Sequence, residues 1–565
     1  MTVAMRTALL LPLCACISLG LLALPACRRT PGPEVVTVQE HVAAAQRISA
    51  DVHALADDKL QGRLTGTPGY DQAADLVAQR FAAIGLRPAG ERGGWFQSVP
   101  LLRATRELDG ARFAIVRDGK RSELHVREQF LPGLNYSATQ AAIEAPAVFV
   151  GHGVAAPDLH YDDFAGLDLH GRIAVLFSGA PMRFDPDRRA LHATSEEKLR
   201  ALAQRGAVGV VFVNTVADEV QLPWARVADQ WQRPGMRLRN PDGSGVDTFP
   251  SLRVIATVSA SAAERIFEGS GHTAAQLFRD AQAGTLHGFA LPGTLALAAR
   301  TRIEPLQSRN VVAKLPGSDP ALAREHIVHS AHLDHLGVGL AAQPETGKRA
   351  DTTHQDRIFN GAFDNALGVS ILLEAARRLH AKPAPKRSLL FVATTGEEQG
   401  LLGAQWFAAH PPGTLVADIN LDMPLLLTPT RDVVAIGDEH SSLQGVLQQA
   451  ARDVGVELSP DPFPEENTFV RSDQYAFVRA GVPSVYLDGG VSAIAGDDPK
   501  LAQRTFMRNC YHQPCDDAAQ PIQYGDAARL ARLNARLGLL LGNADERPRW
   551  HAGDFFGDPP ARSRP

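Results

Sequence analysis

Seven side chains in the C-terminal half are of the types that hold and use a metal. His332 and Asp334 lie in "AHLDHLG", Asp364 in "NGAFDNALG", Glu397 and Glu398 in "TTGEEQG", Asp422 in "NLDMP" and His512 in "NCYHQPCDD". Singly, each has a plain structural account. Asp364 caps a helix, Asp422 ends a strand, adjacent acids face water, and His512 packs between two cysteines. Together they make the donor set of a two-metal hydrolytic site. Imidazole nitrogen and carboxylate oxygen are ordinary zinc ligands, and three protein ligands leave one position open. One zinc takes His332 and Asp422, the other takes Glu398 and His512, and Asp364 bridges them. Two zinc ions bring four positive charges, which three carboxylates and one bridging hydroxide neutralise.

Two acids remain. A carboxylate that ligates metal cannot also shuttle protons, so the pair divides the work: Glu398 ligates, and Glu397 carries the proton from the bridging water to the leaving amine. Asp334 stands two residues beyond His332, on the same side of an extended segment. There its carboxylate is expected to accept the second ring N–H of His332 and fix its tautomer.

These residues need a frame that brings them to one place. From about Glu304 the chain repeats apolar strand, polar loop and amphipathic helix. "HIVHSA", "SLLFVATT", "ADINLD", "DVVAIG" and "PSVYLD" are continuous apolar runs, as strands covered on both faces by helices must be. The pattern predicts an α/β fold, a mixed and mainly parallel sheet sandwiched by helices, with ligands beyond the carboxyl ends of the strands. Before it, Ala74, Val77, Phe81 and Ile84 recur at helical spacing and Gly85 supplies a stop. Between these parts, "APAVFVGHG", "GRIAVLFSG", "AVGVVFVN" and "SLRVIATVS" read as a separate inserted β-rich domain without a cluster of metal-binding side chains. The expected boundaries are 38–102 and 303–545 for the two pieces of the main domain, 103–302 for the insert and 546–565 for a surface tail.

Apolar content of 45% and a net charge of -5 describe a core-forming chain without the basic footprint of a nucleic-acid binder. Residues 1–26 read as an export signal, followed by a tether over 27–37. Leu24-Pro25-Ala26-Cys27 resembles the lipobox of bacterial lipoproteins. This implies acylation of Cys27 and an exported lipoprotein anchored to the outer membrane or facing the periplasm; a retained membrane helix is the alternative. With Cys14 and Cys16 in the signal, Cys510 and Cys515 remain. One disulfide is expected in an oxidising compartment, two free buried thiols being the other reading.

The motifs "AHLDHLG", "GAFDNALG", "TTGEEQGLLG", "NLDM" and "YHQP", in this order, resemble the dizinc aminopeptidases of metallopeptidase family twenty-eight. That family's relatives include glutamate carboxypeptidase and the glutaminyl cyclases. "GRLTGTPGYDQAADLVAQRFAAIGLRPAG" resembles the family's N-terminal segment, and "YDDFAGLDLHGRIAVLF" with "RGAVGVVFVN" resembles a protease-associated domain. The resemblance implies a zinc exopeptidase fold, two Zn2+ per chain and peptide substrates. It also implies the ligand and base roles given above. An aminopeptidase is expected first. A carboxypeptidase or dipeptidase, a single-zinc glutaminyl cyclase and a non-catalytic receptor-like protein are the alternatives. Two positions depart from the family's pattern: Leu367 stands where Ser is usual and Gln474 where His is usual, which puts substrate contacts in doubt.

Overall fold

In the computed structural model, residues 36–339, 356–496 and 498–557 are described, together with Thr2. The signal segment, Cys27 and most of the tether lie outside the described residues, as does the end of the tail. No helix among the described residues is long and apolar enough to cross a membrane.

The described part of the chain opens with two helices, α1 (Val38–Leu55) and α2 (Pro68–Ile84). Gly85 ends α2 in the left-handed region at φ 97°, where a side chain is costly. A long strand, β1 (Phe96–Arg117), then leaves the main body. Beyond it come β2 (Gln140–Phe149), β3 (Ile173–Phe177), β4 (Gly209–Val213), a short helix α3 (Trp224–Asp229), and β5 (Val254–Val258). The return path is β6 (Phe289–Leu315), a 27-residue strand antiparallel to β1.

The main body continues with β7 (Glu325–His332), α4 (Gly368–His380), β8 (Ser388–Thr394) and β9 (Thr414–Asn420). It closes with β10 (Asp432–Ile436), β11 (Glu457–Ser459), β12 (Ser484–Gly489) and the helix α5 (Tyr524–Asn543). One sheet threads the whole molecule in the order β11-β10-β12-β9-β7-β8-β6-β2-β3-β4-β5. At its centre β8, β7, β9 and β12 are parallel neighbours.

Both faces of β8 are buried, which accounts for its unbroken apolar sequence. Leu389, Phe391 and Ala393 pack into the core shared with α1, α2, α4 and α5. Leu390 and Val392 pack on the other face with Val328, Phe407 and Phe477. A second core, built on Phe113, Phe149, Phe177 and Phe267, belongs to the segment between β1 and β6.

That segment departs from a separate β-rich unit in two ways. Its strands β2 to β5 run parallel, with helices packed alongside. Its expected boundaries, 102/103 and 302/303, fall inside continuous strands, where Leu101 pairs with Leu306 and Thr105 with Arg302 without a break. The ladder runs on across the point where composition shifts, so insert and body share one sheet. The tail also differs from a surface segment: Phe556 is buried against His440 and Phe469.

Candidate metal centre

Parallel strands deliver their carboxyl ends to the same edge, and the sequence places the chemistry there. His332 is the last residue of β7, Glu397 and Glu398 follow the end of β8 by three and four residues, and Asp422 follows the end of β9 by two. Asp364 comes from the irregular turn before α4, and His512 from the loop after the helix Pro499–Asn509.

These side chains meet. His332 Nε2 lies 2.9 Å from Asp422 Oδ1 and 3.2 Å from Asp364 Oδ1. On the other side of the same carboxylate, His512 Nε2 lies 3.3 Å from Asp364 Oδ2 and 3.2 Å from Glu398 Oε2. Asp364 therefore turns one oxygen toward each of two clusters.

Asp334 is the exception. Its carboxylate is 4.0 Å from His332 Nδ1, whereas its backbone carbonyl is only 3.1 Å away and takes that contact. The reason is local: β7 ends at His332, so the alternation of an extended strand no longer governs the second residue beyond it. The Asp334 carboxylate instead accepts the backbone N–H of Glu397 at 3.1 Å and fixes the turn that carries both glutamates.

Four positioning groups were not singled out from sequence. His335, fully buried, approaches Glu398 Oε1 with Nδ1 at 2.6 Å and Asp364 Oδ2 at 3.8 Å. The second histidine of "AHLDHLG" was the available signal. Asp516 accepts the backbone N–H of Phe363 at 2.8 Å and of Asp364 at 3.1 Å, so the His512 loop grips the Asp364 turn. Asn365 joins that turn to the Asp422 loop by accepting from Met423 N–H at 3.0 Å and donating to the Leu421 carbonyl at 2.9 Å. Arg63, buried, donates to the carbonyls of Leu333 at 2.9 Å and Gly361 at 3.0 Å.

Cys510 and Cys515 are joined in a disulfide with Cα atoms 5.2 Å apart, closing the loop around His512. Gln474 is buried; it accepts from Asn420 at 2.7 Å and donates to the carbonyls of Thr468 and Phe469, so it belongs to the framework and not to a substrate surface. Leu367 lies in the core. Arg471 is exposed, with Glu466 at 3.6 Å.

Electrostatics follow from crowding acids and imidazoles in a dry place. Burial works against a charged His332, yet Asp422 and Glu397 outweigh it and hold its pKa well above the ordinary value. Burial is likewise overcome at His512, where Glu398 and Asp364 raise the imidazole to about 10. Glu398 falls to about 2, because His512 and His335 overcome the cost of its burial. Glu397 moves the opposite way: burial raises it, His332 pulls it back, and the charges of Asp422 and Glu398 push it well above the usual carboxylate range.

The residues suit divalent zinc. His332, Asp364 and Asp422 form one group of potential ligand atoms within 4.8 Å of one another, and His335, Asp364 and Glu398 form a second. The buried Nε2 of His335 and Oδ2 of Asp334 have no protein partner among the described residues. A cleft of about 410 Å³ reaches Glu397, Glu398 and Tyr511 from one side and Ser195, Arg237 and Phe249 of the insert from the other.

The sequence model of Peptidase family M28 matches residues 310–538, which include all seven of the side chains proposed from sequence. Residues 310–538 thus make up an M28 peptidase domain. A probable zinc metalloprotease of Pyricularia oryzae is 27% identical over 297 residues, covering 47% of this chain and 56% of that protein. One from Pyrenophora tritici-repentis is 50% identical over 219 residues, covering 33% and 49%. This chain thus spans about half the length of these curated relatives. Among solved structures, the aminopeptidase from Aneurinibacillus sp. strain AM-1 has a TM-score of 0.50 at 19% identity, over 87% of this chain and 92% of that one, a likeness of fold. The matched residues hold β7 to β12 and the end of β6, and β1 and β6 carry the sheet on into the insert, which adds β2 to β5.

Proposed function

We propose that this chain is an exported zinc exopeptidase with two metals per chain, releasing N-terminal residues from peptides. The observation that carries the reading is Asp364, whose two oxygens face separate imidazole–carboxylate clusters. His332 and Asp422 would hold one zinc and Glu398 and His512 the other, with Asp364 offering one oxygen to each. His335 donates to the oxygen of Glu398 that is turned away from His512, leaving the second oxygen for metal. Zinc in these positions supplies a Lewis acid and lowers the pKa of water to about 7.

The chain's own residues supply the rest. Glu397 lines the cleft beside the metal groups and moves the proton to the leaving amine. Asp334 holds the backbone of Glu397 in place. The Tyr511 ring stacks on His512 with centroids 3.8 Å apart and forms the adjoining wall.

The aminopeptidase reading predicts cleavage of peptides with a free N-terminus and none of N-acetylated versions, with two zinc ions per chain by elemental analysis. Cleavage confined to C-terminally free peptides, whatever the state of the N-terminus, would make it a carboxypeptidase; one zinc per chain would favour the cyclase form. Export with an acylated Cys27 belongs to the same reading. An acyl-bearing N-terminal peptide in the mass spectrum of the mature protein is the expected result, and an unmodified Cys27 sinks that part alone.

A further inference from the structure

We infer that Arg226, on the insert, is a positioning residue for His512, so that the insert completes the metal centre as well as walling the cleft. The inference rests on the assignment of His512 as a ligand. The Arg226 guanidinium donates through Nη2 to the backbone carbonyl of Tyr511, the peptide that enters His512. No other residue of the insert is needed to make this contact, and it spans 285 positions in sequence.

The loop carrying His512 needs holding. His512 has φ 56°, in the left-handed region, which a residue with a side chain keeps only when its surroundings enforce it. About a third of its side chain is exposed, unlike His332 at 1%. Three fastenings act on the loop. The Cys510–Cys515 disulfide closes it, Asp516 pins its far end to the Asp364 turn, and Arg226 takes the carbonyl on its near side. The first two belong to the M28 domain itself; the third crosses from the insert.

Arg226 is aimed by a firm platform. It sits on α3, whose Trp224 donates to the Arg127 carbonyl at 2.7 Å. Ala228 and Trp231 bury against Leu131. Arg106, on β1, donates to the carbonyls of Pro132 at 2.7 Å and Trp231 at 2.9 Å, tying this platform to the sheet that continues into the main body. An arginine placed in this way transmits the position of the insert to a metal ligand through one charge-assisted hydrogen bond. A group hydrogen-bonded directly to a metal ligand typically changes affinity about 10–100-fold when lost, and Arg226 acts one residue further out through the Tyr511 carbonyl, so that range is the ceiling of its effect.

The test is zinc retention against a graded chelator in the full chain, for wild type, Arg226→Gln and Arg226→Lys, with melting followed in parallel. The expected wild type releases two ions. In Arg226→Gln one of them leaves at a lower chelator concentration, by no more than about 10–100-fold, while the other and the melting temperature stay at wild-type values. Arg226→Lys, which keeps a charged donor, recovers most of that retention. A Gln variant with both wild-type chelator midpoints overturns the inference, and so does joint loss of both ions in step with unfolding. Should Arg226→Gln fail to fold, a folded Arg226→Lys with a selective, smaller weakening of one ion supports the inference, and one with wild-type midpoints overturns it. The His512 assignment is read first and separately: a His512→Ala chain that keeps every zinc ion of the wild type removes that assignment and this inference with it.

Discussion

Replacing Glu397 with glutamine is expected to leave both zinc ions in place and to lower kcat by about 10²–10⁴-fold, the usual contribution of a positioned proton carrier. Glutamine has the shape of glutamate, and the backbone N–H that Asp334 accepts at 3.1 Å is untouched, so the turn after β8 keeps its geometry. The proposed metal-holding atoms belong to His332, Asp364, Glu398, Asp422 and His512 and also remain. What disappears is a carboxyl group whose affinity for a proton has been raised by burial and, against the pull of His332, by the neighbouring charges of Asp422 and Glu398. A carboxyl group whose proton affinity is raised in this way takes up a proton more readily than an ordinary surface glutamate. Zinc content by elemental analysis and steady-state turnover of a free N-terminal peptide check the prediction. Turnover near the wild-type rate would show that the proton travels by another route.

The site was legible in the sequence where geometry is set by regular structure. His332, the Glu397–Glu398 pair and Asp422 each follow an apolar run, and a parallel sheet brings the ends of such runs to one edge. Reading failed where the chain turns. Asp334 was assigned by strand alternation, but β7 stops at His332, and a carbonyl replaces the carboxylate as the imidazole's partner. Asn365 and Asp516 act through tertiary contacts between loops far apart in sequence, which no local pattern encodes, whereas His335 is marked in sequence only by its place three residues after His332. The insert showed the same limit. Composition marked where its character changes, whereas the paired strands β1 and β6 carry hydrogen bonds straight across that point. The insert has its own core and is joined to the body through one sheet, and an arginine on it reaches the loop of His512.

Asp364→Ala is expected to lose zinc from both positions and to abolish turnover. This is the second large effect, and it separates two metals sharing a ligand from two independent sites. Asp364 Oδ1 lies 3.2 Å from His332 Nε2, and Oδ2 lies 3.3 Å from His512 Nε2. Alanine removes both oxygens at once, leaving two protein ligands for each ion where three are the minimum of most zinc sites. The fold should survive, since the contacts that hold this turn use backbone N–H groups of Phe363 and Asp364 and the side chain of Asn365. The pH dependence of retention adds an independent check with a definite sign. In the metal-free protein Glu398 and Asp364 raise His512 to about 10, and Asp422 and Glu397 raise His332 well above its ordinary value, so the neighbouring carboxylates favour the protonated form of both rings. Each must lose its proton to ligate zinc, and wild-type affinity should fall about tenfold per pH unit for each proton displaced as the solution is acidified. Chelator competition at several pH values, on wild type and Asp364→Ala, measures both effects together. If the alanine variant kept one ion at full affinity, the two clusters would be separate sites that merely adjoin, and the shared carboxylate would have no part in joining them.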